Sequence, residues 1–218
     1  MEKGNNVFLN HSVAAEYDNY YLSDSGKKID KIEKKMISTH LKGVETGDLL
    51  ELGCGTGHWT DFFSRKGFKV WAIDESEAMI NIANAKKIRN ASFLKADAAN
   101  LPFADHSFPV ITTITMLEFV KDIGLILDEI DRVLEPGGLL VVGCLNKNSE
   151  LGKNKDNDPV FRNGCFFSPQ EIEDRLSRFG KPVLNYGVYF TSEFALLDGT
   201  EKQDTVQPSF FAASVRKT

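Results

Sequence analysis

The clearest structural signal in the chain is Leu49-Leu50-Glu51-Leu52-Gly53-Cys54-Gly55-Thr56-Gly57-His58-Trp59-Thr60. A mostly apolar run of strand length leads directly into three glycines at alternate positions, and a helical segment follows them. Alternate glycines let a backbone turn tightly and approach a ligand closely, and free amides at the start of the helix face the same point. We therefore predict a ligand-binding turn; the alternative is a turn that only connects a strand to a helix.

Apolar runs of strand length alternate with helical segments along the chain after Gly47. This rhythm is typical of successive βα units and a largely parallel sheet with helices on both faces. We predict seven strands, at residues 49–52, 68–73, 91–96, 110–115, 139–145, 183–190 and 210–215. The predicted helices span residues 25–41, 59–66, 77–87, 122–134 and 169–179. The last two strands follow one another, which favours an antiparallel hairpin at one sheet edge.

The composition is that of an ordinary globular chain. It has 218 residues, 42% hydrophobic and 26% charged, so a single domain over residues 1–218 is expected. The net charge of −5 offers no basic stripe for nucleic acid, and no secretion or membrane-spanning pattern is visible. We expect a cytoplasmic monomer or homodimer without nucleic-acid or membrane partners. Cys54, Cys144 and Cys165 show no zinc-binding spacing, so no metal site is expected.

Asp74 ends the second predicted strand, at the separation from the glycine turn where a carboxylate can accept both hydroxyls of a ribose. The alternative is a cap on the next helix, but Ser76 already suits that role. A dinucleotide site would need G-x-G-x-x-G, and His58 or Thr60 occupies the place of the third glycine. These features favour a nucleoside-like ligand and disfavour a nicotinamide dinucleotide.

The chain resembles the class I S-adenosylmethionine-dependent methyltransferases of the small-molecule, type 11-like kind. The resemblance rests on motifs in the expected order, namely Glu51-Leu52-Gly53-Cys54-Gly55-Thr56-Gly57, Asp74, Ala96-Asp97-Ala98 with Leu101-Pro102-Phe103, and Arg132-Val133-Leu134-Glu135-Pro136-Gly137-Gly138. It extends over about residues 17–177 and implies a Rossmann-like α/β fold that binds S-adenosylmethionine and releases S-adenosylhomocysteine. One position departs from the family pattern: Pro109 follows Phe108 where an acidic residue is usual, which alters the start of the fourth strand.

The resemblance also implies which residues bind the cofactor. They are Tyr17, Glu51, Gly53, Cys54, Gly55, Asp74, Met79, Asp97, Ala98 and Thr115. By this likeness Gly53 and Gly55 flank the methionine part, Glu51 supports the loop and the amino group, and Asp74 holds the ribose.

The same resemblance implies which residues contact the adenine and which residue at the sheet edge contacts the cofactor. Met79 would pack on the adenine, Asp97 would accept from its exocyclic amine, and the Ala98 amide would reach a ring nitrogen. Thr115 would meet the cofactor through its backbone. Two alternatives stay open at this stage: Met79 as ordinary core and Asp97 as the start of a turn.

The N-terminal residues 1–45 resemble the helical lid of the family, with Tyr17, Tyr20 and Tyr21 as its aromatic residues. A sulfonium is a cation, so an aromatic ring face can stabilise it and exclude water. The alternative is that these tyrosines anchor an N-terminal helix. Residues 46–146 would then form the cofactor-binding core, and residues 147–218 the acceptor-side loop, helix and edge strands.

Glu118 lies just beyond the fourth predicted strand and is the best-placed general base for an acceptor that must lose a proton. In related methyltransferases this position lies near the acceptor; the alternative is a surface or helix-capping acid. The predicted function is methyl transfer by in-line displacement to a small-molecule acceptor. A protein that binds or senses S-adenosylmethionine without catalysis is the other possibility.

Overall fold

The predicted alternation of strands and helices is present in the computed structural model, which describes residues 7–197 and 206–218. Residues 1–6 of the predicted lid and residues 198–205 of the predicted C-terminal segment lie outside the described residues. The strands are β1 (Asp48–Leu52), β2 (Lys69–Asp74), β3 (Ala91–Lys95), β4 (Phe108–Ile114), β5 (Leu134–Leu145), β6 (Val183–Gly187), β7 (Tyr189–Phe190), β8 (Leu196–Leu197) and β9 (Phe210–Arg216).

Helices precede, connect and follow these strands. They are α1 (His11–Glu16), α2 (Asn19–Leu22), α3 (Asp24–His40), α4 (His58–Arg65), α5 (Glu77–Ala85), α6 (Ile123–Val133), α7 (Glu150–Lys153) and α8 (Pro169–Leu176). Short 3₁₀ turns occur at Val7–Leu9, Leu117–Phe119, Lys155–Asn157 and Phe161–Asn163. Ser76 caps α5, and Ser168 begins α8 with a reciprocal capping box to Glu171. No helix in the described ranges is long and apolar enough to cross a bilayer.

In the described residues, the main sheet has seven strands in the order β3-β2-β1-β4-β5-β9-β6. The five strands from β3 to β5 are parallel, whereas β9 runs antiparallel to both β5 and β6. The fold-class prediction is therefore confirmed, including the antiparallel pair at the C-terminal edge. β9 lies inside this pair and β6 forms the edge, so the last strand of the chain is not the last of the sheet.

Two strands are less regular than the sequence predicts. The register of β4 against β5 shifts between Phe108 and Val110, around the unusual Pro109, because proline has no amide to donate to a ladder. The predicted strand 183–190 ends at Gly187, because Val188 takes a left-handed φ of 56°. Tyr189–Phe190 then pairs with Leu196–Leu197 in a separate two-stranded sheet.

The sheet is covered on both faces, as predicted. Leu50 and Leu52 pack into one core with α6 and α8, while Leu49 packs into the other core with α3 and α4. Because β1 to β5 are parallel, their carboxyl ends lie at one edge, and the segments that follow all five strands meet there.

We predict that Gly143→Ala destabilises the fold by about 1–3 kcal/mol, the usual cost of overpacking. A Cβ at this β5 position would lie 2.7 Å from Phe210 Cζ and 3.1 Å from Ile114 Cγ2, where β9 packs beside β5. Gly47→Ala is the matched control because a Cβ there meets nothing within 4 Å. Urea denaturation of both variants measures the difference, and equal stability would show that β9 shifts freely.

Candidate active site

A cavity of about 1110 Å³ runs along the carboxyl edge of the parallel strands. Its wall contains residues at or just after the end of each of β1 to β5, listed in strand order as Gly53, Gly55, Asp74, Asp97, Ala98, Thr115, Glu118 and Lys147. Its volume reaches that of sites for cofactor-sized ligands. The cavity therefore lies where doubly wound sheets bind ligands, and it brings together residues far apart in the chain.

The glycine turn after β1 forms the floor of the cavity. Gly53 and Gly55 have left-handed φ values of 72° and 53°, which glycine adopts at no steric cost. A Cβ at Gly53 would lie 2.3 Å from Met116 Cγ, so the backbone conformation and the close approach both require glycine. At Gly55 the nearest atom to an added Cβ is Tyr17 Cε1, at 3.8 Å. The turn thus leaves room over its backbone for a ligand.

Asp74 connects the end of β2 to this turn. Its Oδ2 accepts a hydrogen bond from the Gly55 amide at 2.9 Å, and its Oδ1 accepts from the Ser76 amide at 2.8 Å. Burial raises the pKa of this carboxyl, although the two amide donors act in the opposite direction. Each carboxylate oxygen has a second lone pair, so Asp74 can accept further hydrogen bonds from a ligand in the cavity.

Met79, Asp97 and Ala98 line the end of the cavity next to β2 and β3. Met79 is buried and packs with Ala14 and Tyr17, so it belongs to a small core as well as to the cavity wall. Asp97 Oδ1 accepts from the Ala99 amide at 2.8 Å, which makes Asp97 the start of a turn. Met79 as core and Asp97 as the start of a turn are thus both compatible with a position in the cavity wall.

Thr115 follows β4 at the middle of the cavity wall and has a φ of 51°. A left-handed conformation is strained for a β-branched residue, and such strain concentrates at ligand sites. The Thr115 amide donates to the Gly143 carbonyl at 2.8 Å, which holds this backbone against β5.

Glu51 at the end of β1 and Cys54 within the turn are not part of the cavity wall. Glu51 is 2% exposed, and its Oε2 accepts from Thr60 Oγ1 at 2.6 Å. This bond joins β1 to α4 and supports the loop from below. Burial raises the pKa of the Glu51 carboxyl from 4.5 to about 8 and also raises the pKa of the Cys54 thiol.

Glu118 lies in the 3₁₀ turn after β4 and lines the cavity although it is only 1% exposed. Its Oε1 accepts from the Leu145 amide at 2.6 Å, whereas its Oε2 has no hydrogen-bond partner among the described residues. Burial raises the pKa of this carboxyl from 4.5 to about 7. A buried polar atom without a partner is costly, so Oε2 is suited to bind a protic group of a ligand.

The N-terminal helices bind to the glycine turn through polar and aromatic contacts. Tyr17 lines the cavity, while Tyr20 and Tyr21 are not part of its wall. The Tyr21 ring stacks on His58, with centroids 3.5 Å apart, and Thr56 Oγ1 donates to Asp18 Oδ1 at 2.6 Å. Tyr21 therefore anchors the segment to the start of α4, and Tyr17 is the tyrosine positioned to meet a ligand.

Several residues of the cavity wall carry no signal in the sequence. Phe8 and Phe119 meet edge to face with centroids 4.9 Å apart, and both line the cavity. Lys155 and Arg162 line it from the segment after β5. No motif marked them, because their positions depend on how two irregular segments fold back over the sheet edge.

The parallel sheet, the glycine turn and the cavity at the carboxyl edge of the strands define an α/β protein of the doubly wound kind. The sequence profile of the family described as "Methyltransferase domain" matches residues 50–142. An uncharacterized protein of Methanocaldococcus jannaschii is 29% identical over 217 residues, which are 97% of this chain and 99% of that protein.

Two named relatives are more informative about chemistry. A demethylmenaquinone methyltransferase of Lactococcus lactis is 37% identical over 139 residues, 60% of this chain, and the match spans 54% of that enzyme's length. A crystal structure from Thermotoga maritima, described as an S-adenosylmethionine-dependent methyltransferase and possible histamine N-methyltransferase, has a TM-score of 0.76 and 25% identity. The match covers 97% of this chain and 100% of that one. Residues 50–142 of the chain thus match the methyltransferase domain family, and the whole chain is similar in fold to an S-adenosylmethionine-dependent methyltransferase.

We predict that the free energy of unfolding falls as the pH rises from about 5 to about 8, in part through Glu51. The folded protein holds this proton up to its pKa of about 8, whereas an ordinary glutamate releases it near 4.5. Unfolding therefore releases a proton within this window. Glu51→Gln has no such proton and is expected to lose stability less steeply.

Urea denaturation between pH 5 and 9 measures this slope, with the exposed Glu45→Gln as the control. The control should follow the wild-type slope. A Glu51→Gln slope equal to that of the wild type would contradict the assignment of a buried, protonated Glu51.

Proposed function

We propose that the protein is a cytoplasmic enzyme that transfers a methyl group from S-adenosylmethionine to a small-molecule acceptor by in-line displacement. The observation that carries this proposal is the buried Glu118 carboxylate, whose Oε2 has no partner among the described residues and whose residue lines the same cavity as the glycine turn and Asp74. Two relatives have names that specify small molecules, demethylmenaquinone and histamine, which supports an acceptor of this class.

The residues present fit S-adenosylmethionine. Gly53 and Gly55 leave their backbone open to the methionine part, and Asp74 offers carboxylate lone pairs to the ribose hydroxyls. Met79, Asp97 and Ala98 would surround the adenine. When bound, the cofactor supplies an electrophilic methyl group on a sulfonium, with a neutral thioether as leaving group.

Tyr17 would serve at the reacting end of the cofactor. Its ring lies over Gly55 and packs edge to face with Phe8 at 6.0 Å. An aromatic face attracts a cation, and the enclosing rings exclude water, so the same groups bind the sulfonium and protect the reaction. Tyr20 and Tyr21 support Tyr17 from outside the wall.

Glu118 would bind the acceptor and take up its proton. Its Oε1 is held by the Leu145 amide, which leaves Oε2 to accept from an N–H or O–H group of the acceptor. A pKa of about 7 suits a general base at physiological pH, because a substantial fraction is ionised and the group still holds a proton effectively. The acceptor's nucleophilic atom would thus be oriented and deprotonated by one carboxylate.

We expect calorimetry to detect binding of S-adenosylmethionine and S-adenosylhomocysteine but not of NAD. Asp74→Ala should weaken this binding by about 1–3 kcal/mol, the cost of leaving buried ribose hydroxyls without a charged acceptor. Asp61→Ala is the matched control, because it removes a carboxylate from α4 whose side chain is 44% exposed. NAD binding without a response to either sulfur compound would contradict the proposal, and an unchanged affinity of a folded Asp74→Ala would remove Asp74 from the site.

Glu118→Gln should preserve cofactor affinity but lower turnover by about 10²–10⁴-fold, the range for a positioned base. An acceptor screen comes first, with S-adenosylhomocysteine formation as the readout. For the wild type, the rate should rise with pH through about 7, because the base acts when deprotonated. The control Glu45→Gln should keep both rate and profile.

Two results would count against this role of Glu118. One is wild-type turnover in Glu118→Gln; the other is a joint loss of stability and cofactor affinity, which indicates a structural acid. Cofactor binding without turnover on any acceptor would instead favour a binding or sensing protein.

A further inference from the structure

The strand order separates the cofactor end of the cavity from its other end. Asp97 follows β3 and Asp74 ends β2, whereas Lys147 follows β5. β1 and β5 are two strand spacings apart, about 10 Å at about 4.8 Å per strand. If the cofactor extends from β3 to the glycine turn, as the proposed function requires, then wall residues near β5 lie beyond the transferred methyl group and face the acceptor.

Three basic residues line this β5 end: Lys147, Lys155 and Arg162. Lys147 Nζ is paired with Glu171 at 2.6 Å, and Lys155 Nζ is paired with Asp156 at 2.9 Å. In contrast, the Arg162 guanidinium has neither an ion pair nor a hydrogen bond with any residue that the structure describes. Its positive charge is therefore available to a ligand.

Hydrogen bonds hold the backbone of Arg162 in place, although its guanidinium has no partner among the described residues. Its amide donates to the Asp158 carbonyl at 3.0 Å, and its own carbonyl accepts from Lys155 Nζ at 3.5 Å. Three residues later, the Cys165 amide donates to the Glu118 carbonyl at 2.6 Å. Because three residues span at most about 11 Å, this link keeps the Arg162 backbone within about 14 Å of the Glu118 carbonyl.

Two carboxylates, of Asp158 in the same segment and of Asp122 in the cavity wall, are bound to backbone amides instead of to Arg162. Asp158 Oδ1 accepts from the amides of Val160 and Phe161, at 2.8 and 3.0 Å. Asp122, also in the wall, has its Oδ1 bound to the Gly124 amide at 2.8 Å as the cap of α6. A planar guanidinium that is left available matches the geometry of a carboxylate or a phosphate.

Resting on the proposed function, we propose that the methyl acceptor carries an oxyanion, a carboxylate or a phosphate, and that Arg162 binds it. The protic nucleophile of the same molecule then hydrogen-bonds to Glu118 Oε2. Two opposite charges at the β5 end thus orient the acceptor: the carboxylate of Glu118 selects the reacting N–H or O–H, and Arg162 holds the anionic group. Arg162 is a specificity-determining residue in this arrangement.

Calorimetric titration with benzoate and with inorganic phosphate tests the site, at low ionic strength and both with and without S-adenosylhomocysteine. The two probes distinguish a carboxylate from a phosphate. We expect at least one to bind the wild type, and Arg162→Ala to weaken that binding at least tenfold. Arg162→Lys should keep part of it, because the charge remains and the planar fork is lost.

Arg89→Ala is the matched control, since it removes one positive charge from an exposed position outside this cavity. It should bind the anion as the wild type does. Affinity for S-adenosylhomocysteine should be equal in the wild type, Arg162→Ala and Arg89→Ala, and melting curves establish that each variant is folded.

Three outcomes overturn the assignment: no anion binding to the wild type, equal binding by folded Arg162→Ala, or a loss of S-adenosylhomocysteine affinity in Arg162→Ala. The last would place Arg162 on the cofactor's own carboxylate. Failure of the proposed function is a separate result, because it appears as absent S-adenosylhomocysteine binding while the titrations without it still test the anion site.

Discussion

The end of β2 holds the glycine turn on which the whole cavity depends. The Ile73 carbonyl accepts from the amides of both Gly53 and Cys54, each at 2.9 Å, and Asp74 Oδ2 accepts from the Gly55 amide at 2.9 Å. Three successive amides are thereby bound to the neighbouring strand. The chain can follow this path only with left-handed residues, which is why glycine occupies the positions that pass closest to Met116 and to the cavity.

Three carboxyl groups, buried or half-buried, lie in or beneath the carboxyl edge of the sheet, and their desolvation has an energetic cost. Glu51, Asp74 and Glu118 all have raised pKa values, and desolvation is the largest cause in each case. A cation placed among them would favour their ionised forms and recover part of that cost. The stability of the protein and its affinity for a positively charged ligand are therefore linked through the same side chains.

Two irregular segments enclose the edge of the sheet. The N-terminal helices are bound to the turn through Asp18 and Tyr21, and the segment after β5 is bound to Glu118 through the Cys165 amide. Each segment is thus joined directly to residues of the sheet edge that it covers. Loops of this kind carry specificity because they are free to vary while the strands keep the cofactor geometry.

The sequence by itself determined the βα alternation, the parallel core and the turn, since strand-length apolar runs and alternate glycines express local preferences of the backbone. Asp74 ends β2 and Glu118 lies in the turn after β4, so sheet geometry predicts from the sequence that both lie at one edge. Only long-range packing places β9 between β5 and β6, brings Tyr17 rather than Tyr20 or Tyr21 to the cavity wall, and brings Arg162 to the same wall. These outcomes depend on contacts between distant parts of the chain, such as Tyr21 with His58 and Cys165 with Glu118, and no local pattern specifies such contacts.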